Sequence, residues 1–113
     1  MKTYPLFEHW YRVTDWILDK CDKMPKHTRF TISGRIANLT AETLDLIIQA
    51  AYTKERRPLL QAINLNLERL RVFFRLCFDR HYISQTQYEF VQNDLQTAGR
   101  MCGGWLQAQT KQP

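Results

Sequence analysis

The stretch Leu67-Glu68-Arg69-Leu70-Arg71-Val72-Phe73-Phe74-Arg75-Leu76-Cys77-Phe78-Asp79-Arg80 decides how this chain folds. Its apolar residues recur at the i, i+3, i+4 spacing of an amphipathic helix, with four arginines threaded between them. A guanidinium is buried only with partners, so such a helix turns one face to a core and another to solvent or to an anion. Between Lys54 and Arg80 seven basic residues stand against three acidic ones, which places +4 of the net charge of +5 in this quarter of the chain. Charge gathered in this way suits phosphate better than a small-molecule pocket.

The same periodicity extends outward in both directions. Helix one, about Pro5 to Lys23, carries Leu6, Trp10, Val13 and Ile17, with Phe7, Thr14, Leu18 and Cys21 beside them. Helix two, about Thr28 to Tyr52, uses Phe30, Ile36, Ala37, Leu44, Ile47, Ile48 and Ala51. Helix three runs from about Pro58 to Arg80. Helix four starts at Ser84-Gln85-Thr86-Gln87, a capping-box pattern, and continues through Tyr88, Val91, Leu95, Ala98, Cys102 and Trp105. Pro5 and Pro58 suit first helical turns, and Pro25 suits a connection. With no β-type alternation and only short connections, the expected fold is all-α, an antiparallel up-down-up-down four-helix bundle. One domain is expected over residues 1–109, with a frayed tail at 110–113.

No run approaches the roughly 20 apolar residues of a membrane span, and Met1-Lys2-Thr3-Tyr4 leads into an amphipathic segment rather than a signal peptide. Three well-separated cysteines, Cys21, Cys77 and Cys102, point to reduced thiols and a cytoplasmic setting. His9, His27 and His81 stand in separate elements without ligand-spaced partners and read as exposed or capping residues. No serine or cysteine nucleophile has an identifiable base, and no glycine-rich phosphate loop exists. The chain therefore reads as a binding protein without a catalytic centre, metal or cofactor. Gly103-Gly104 reads as a helix C-cap or a point of close backbone approach.

At roughly 100° per residue, Arg57, Arg71 and Arg75 share one outer side of helix three, and Arg69 and Arg80 share the opposite flank. The alternative to a binding face is a solvated surface, with Glu68 paired to Arg71 and Asp79 to Arg75. Asn66 lies inside the apolar arc and reads as a hydrogen-bonded core residue. On helix one, Glu8, Asp15, Asp19 and Asp22 share an outer face with Trp16 beside them, the arrangement of an interface anchor or of a solvated acidic stripe. On helix two, Ile32, Leu39, Leu46 and Ala50 widen the apolar arc to one flank. Trp16, Leu39 and Leu46 are therefore the candidate contacts to a second subunit, and segregated acidic and basic faces could pair head-to-tail into a ring.

Three blocks of sequence resemble the Avd family, the small four-helix-bundle accessory proteins of diversity-generating retroelements. They are Met24-Pro25-Lys26-His27-Thr28-Arg29-Phe30-Thr31-Ile32-Ser33-Gly34-Arg35-Ile36, then Asn66 through Leu76, then Ala98-Gly99-Arg100-Met101-Cys102-Gly103-Gly104-Trp105-Leu106. The last is similar to the family's Gly-Arg-Met-x-Gly-Gly-Trp signature, and the likeness runs from about Tyr11 to Gln107. The resemblance implies a non-enzymatic protein that forms a pentameric ring with a basic surface. It further implies binding to the reverse transcriptase and its template RNA, and support of mutagenic copying into cDNA, with DNA a further candidate ligand. Arg71 and Arg75 stand where the family's third helix carries its basic contacts. Arg69, Arg80, Arg100, Lys26, Arg29 and Arg35 are further candidates for the same surface. Two other readings stand beside it. One is a scaffold whose basic face docks an acidic protein. The other is a structured-RNA-binding protein of the ribosomal intervening-sequence type, which shares the bundle and a Pro-Lys turn but carries its arginine motif earlier and lacks the terminal Gly-Gly-Trp.

Overall fold

The structure, a computed structural model, describes residues 4–110. It contains four α-helices: α1 Pro5–Lys23, α2 Ile32–Ala51, α3 Arg57–Asp79 and α4 Gln85–Thr110, with a short 3-10 turn at Lys26–Thr28. No strand occurs among the described residues. α4 includes Thr110, the first residue of the expected tail, and 111–113 lie outside the described residues.

Local chemistry sets most of the helix ends. Proline opens α1 and α3 in their first turns, where a missing N–H leaves no bond unmade. The Ser84 capping box closes in both directions: Gln87 N–H donates to Ser84 Oγ at 3.1 Å, and Ser84 N–H donates to Gln87 Oε1 at 2.9 Å. α3 stops in a Schellman turn, with Tyr82 N–H donating to Cys77 O (2.8 Å) and His81 N–H to Phe78 O (3.0 Å). His81 holds the left-handed position there, at φ 63°.

The start of α2 departs from the expected course. The helix begins at Ile32, because Thr28 folds the chain over itself first. Its hydroxyl donates to Pro25 O at 2.7 Å, and Thr31 breaks the helical path at φ −122°, ψ −101°. The turn leans so closely on the first turn of α2 that a Cβ on Gly34 would strike the Arg29 carbonyl. Phe30, expected in the core, consequently sits in the turn at 93 % exposure.

The core runs the length of the bundle. Trp10, Ile17, Ile36, Ile47, Leu60, Ile63, Leu70, Phe74 and Leu95 are fully buried, and truncating a residue such as Phe74 to Ala costs about 3–5 kcal/mol in such a core. α1 packs on α2 and α4, and α3 packs on the same two. Among the described residues the diagonal pairs do not meet, so the helices stand at the corners of a square. Side chains cross-link it: in the core Trp10 Nε1 donates to Thr40 O (3.1 Å) and Cys102 Sγ to Leu60 O (3.3 Å), and at the part-buried α3–α4 seam Gln92 Nε2 donates to Arg71 O (3.1 Å).

Three further expectations are corrected. Leu39 and Ala50 are buried in the core, because α2 is covered by α1 on one side and by α3 on the other; a wide apolar arc on a doubly covered helix is no surplus. His9 is buried, with Nε2 3.0 Å from the Asp94 carbonyl oxygen. Gly103 and Gly104 lie inside α4, neither at its end nor against another backbone, and a Cβ on either would meet nothing within 4 Å.

Candidate nucleic-acid and partner interface

The arginines of α3 separate into two groups by what surrounds them. Arg75 is exposed and has no carboxylate partner among the described residues; the expected pair with Asp79 does not form. Arg71, one turn earlier, forms the expected pair with Glu68, at 3.2 Å, but it is not fully outward. Its side chain leans into the seam between α3 and α4, where Gly99 leaves space for the guanidinium: a Cβ there would lie 3.4 Å from Nη2. The Arg71 Nε atom is buried without a partner in that seam. Arg71 also borders an open cleft with Tyr88, Glu89, Gln92, Asn93 and Gln96, a polar lining. Arg100 lies exposed on α4 and donates to Thr97 Oγ1 at 3.2 Å.

The other flank is different in kind. Arg69 Nη1 donates to Oδ1 of buried Asn66 at 3.0 Å, which ties the guanidinium itself back to the helix although the residue is exposed. Asn66 is thus the hydrogen-bonded core residue its position suggested, although its Nδ2 has no partner. Arg80 donates to Tyr82 Oη at 2.9 Å, and Arg35 lies 5.6 Å from the Phe73 ring centre. Arg35, Arg80, His27 and Tyr82 frame an open cleft of about 530 Å³ floored by Ile32, Phe73 and Leu76. Lys26 and Arg29 border a smaller groove of about 200 Å³ with Cys21, Asp22 and Gly34. The eight candidate cations are therefore distributed over several surfaces and do not form one patch.

The acidic stripe of α1 is present: Glu8, Asp15, Asp19 and Asp22 are all exposed. Lys23 and Lys20 hold Asp19 at 3.0 and 3.3 Å and lower its pKa. Trp16 is half-buried rather than free, with its ring 5.1 Å from that of Phe90 on α4 and Lys20 Nζ 5.3 Å from it. Leu46 is half-buried against the core, and the burial of Leu39 leaves it almost no surface to offer a neighbour.

Sequence reasoning missed Arg56. It lies between two helices, where periodicity carries no information, yet it ties one end of the bundle together. Its Nε donates to Ala50 O (2.7 Å) and Thr53 O (2.8 Å), satisfying carbonyls at the end of α2. Its Nη2 donates to Tyr4 Oη at 3.1 Å, and its guanidinium lies 5.5 Å from the Tyr4 ring and 5.3 Å from the Trp105 ring. Tyr4 and Trp105 themselves stack at 4.4 Å. The tryptophan of the terminal signature is thus part of a structural clamp.

The three thiols are free, and burial pushes Cys21 up to about 12 and Cys77 and Cys102 up to about 11. They stay protonated at neutral pH, so none is poised as a nucleophile. No group of three or more metal-ligating side chains occurs among the described residues. No helix there is long and apolar enough to cross a membrane. A family model described as bAvd-like matches residues 6–109, nearly the whole chain. No curated protein matches it.

Proposed function

The chain belongs to the bAvd-like family, the Avd-type accessory proteins of diversity-generating retroelements, and from that premise we propose that it binds the element's reverse transcriptase and template RNA and supports mutagenic cDNA synthesis without an enzymatic centre of its own. The observation that carries the reading is the α4 flank of α3, where Arg75 stands exposed, with no carboxylate partner among the described residues, one turn from Arg71. Two planar donor forks on one side of a rigid helix match neighbouring phosphates or acidic groups of a polymerase. Arg75 is available to a polar ligand as it stands, and Arg71, at the polar cleft, exchanges its exposed Glu68 partner for one. Arg100 extends the same side of the molecule onto α4.

Successive helices run antiparallel in this reading, supported by the meeting of Tyr4, Arg56 and Trp105 at one end and of His27 and Tyr82 at the other. Copies of the subunit close into a ring, five on the family's precedent, in the cytoplasm. A ring multiplies a modest subunit charge, so several phosphates are engaged at once and binding weakens steeply as salt rises. The test is RNA binding measured across a salt series together with capture of the reverse transcriptase. Affinity that is flat from low to high salt, with no polymerase captured, refutes the reading. Capture without RNA binding favours a protein scaffold instead.

A further inference from the structure

Two exposed apolar flanks of the subunit lie on either side of α2. On α1, Tyr11 is 60 % and Leu18 is 41 % exposed; on α3, Leu65, Val72 and Leu76 are 52 %, 64 % and 43 % exposed. Each flank is bordered along one edge by charge of one sign, while Glu68 and Asp79 border the α3 flank on its far side. Advancing roughly 100° per residue, Asp15 and Asp22 fall within about 40° of Tyr11 and Leu18 on average, and Arg69 and Arg80 fall similarly beside Leu65 and Leu76. Among the described residues none of these four charged groups has an oppositely charged partner. α1 and α3 stand at diagonal corners of the square with α2 between them, so the two flanks belong to neighbouring sides of the bundle, roughly 90° apart.

That angle decides what a second copy does. Contact surfaces on opposite sides of a subunit stack copies in an open line, whereas surfaces roughly 90° to 108° apart close a ring of about four or five. Resting on the ring reading above, we propose that its seam joins the α1 flank of one copy to the α3 flank of the next, with α2 turned toward the ring axis. Apolar residues fill the seam. Asp15 and Asp22 meet Arg69 and Arg80 when copies stand parallel; the acidic pair is seven residues apart and the basic pair eleven, a difference of about 6 Å along the axis that long arginine side chains span. The outward residues of α2, Asn38, Ala41, Glu42, Asp45 and Gln49, are small, polar or acidic and none is a large apolar residue, so the face turned to the axis stays wet. Arg71 and Arg75 stay outside the seam, on the side proposed for nucleic acid or polymerase. Arg69 and Arg80 thereby serve assembly rather than RNA.

A seam built from two different flanks can be blocked on either side and then completed by mixing. One variant carries Tyr11→Lys and Leu18→Lys, the other Leu65→Glu and Val72→Glu; all four positions are exposed, so helical content should match the parent. Light scattering behind a sizing column should give each variant alone the 13.5 kDa subunit mass. An equal mixture should form a 1:1 dimer of about twice that mass and nothing larger, since only one intact seam remains. The single replacements Leu18→Lys and Val72→Glu serve if a double variant loses its helical signal. Variants that assemble like the parent overturn the seam while leaving the ring intact, and so does a mixture that stays monomeric. Variants of parental mass that no longer capture the polymerase assign these flanks to it instead. A parent protein that is itself monomeric removes the ring and the seam together.

Discussion

On the α4 side of α3, Arg71 borders Glu89, Gln92, Asn93 and Gln96, with Arg75 exposed one turn further on; on the α2 side, Arg69 and Arg80 stand beside Leu65, Val72 and Leu76. The residue type and the helix are the same, and the surroundings differ. A guanidinium among amides exchanges one wet environment for another when it meets phosphate, so it suits contacts that form and release. A guanidinium at the border of apolar surface is desolvated when that surface is covered, which suits a lasting protein interface. Net charge alone cannot tell the two apart. Arg56, near the other end of the same helix, is a third case, since its donors are already spent on carbonyls.

Replacing Arg56 by Ala should break the comparison most visibly. It removes two bonds from a charged donor and the contacts with Tyr4 and Trp105, costing about 2–3 kcal/mol, readable as a lowered melting temperature. RNA affinity of the folded fraction should not change. Arg71→Ala with Arg75→Ala should do the reverse, cutting RNA affinity at least tenfold, about 1.4 kcal/mol, with stability altered by about 1 kcal/mol or less. A reduced slope of affinity against salt in the same titration identifies lost phosphate contacts. Normal binding by that double variant would show that the α4 flank is only a solvated surface.

Smaller effects sharpen the structural side. His81→Gly relieves a left-handed backbone position and should stabilise the protein by roughly 0.5–1 kcal/mol in chemical denaturation. The thiols give the least effect at neutral pH, where they are protonated folded or unfolded. Their pKa values are raised in the fold from 9.0 to about 11 or 12, so the folded state holds protons that the unfolded state gives up. Stability should be undiminished by them below pH 9 and decline as pH climbs from there through 11 to 12. Replacing Cys102 by Ser should flatten that decline.

Much of the fold was legible because its signals are local. A helix repeats its apolar face every three or four residues whatever its neighbours, and the Ser84–Gln87 box contains its own partners. What escaped depends on neighbours. Leu39 looked surplus because the sequence does not reveal that α2 is covered on two sides. Phe30 looked like core because nothing in its spacing shows Thr28 tying back to Pro25. The Glu68–Arg71 pair was foreseen and forms, while Asp79–Arg75 has permissive spacing and does not form, since spacing allows an ion pair without requiring one. Arg75 was recognisable from helical phase alone. The turn of Arg71 toward α4 depends on space left by Gly99, which comes from another helix.

Three of the chain's four glycines lie within α4, at 99, 103 and 104. Each lowers helix propensity by about 1 kcal/mol relative to alanine, and the last two have no packed neighbour to offset the loss. The final turns of α4 are held by Trp105 on Tyr4 and Arg56 together with Met101 and Leu106 against the core, a latch at the end of an intrinsically weak segment. Such a segment opens without unfolding the rest, so its amides should exchange with deuterium well ahead of those around Leu95 and Ala98. The bundle should thus behave as a rigid body with one end that unzips on its own clock, at a rate set by that short latch rather than by the whole core.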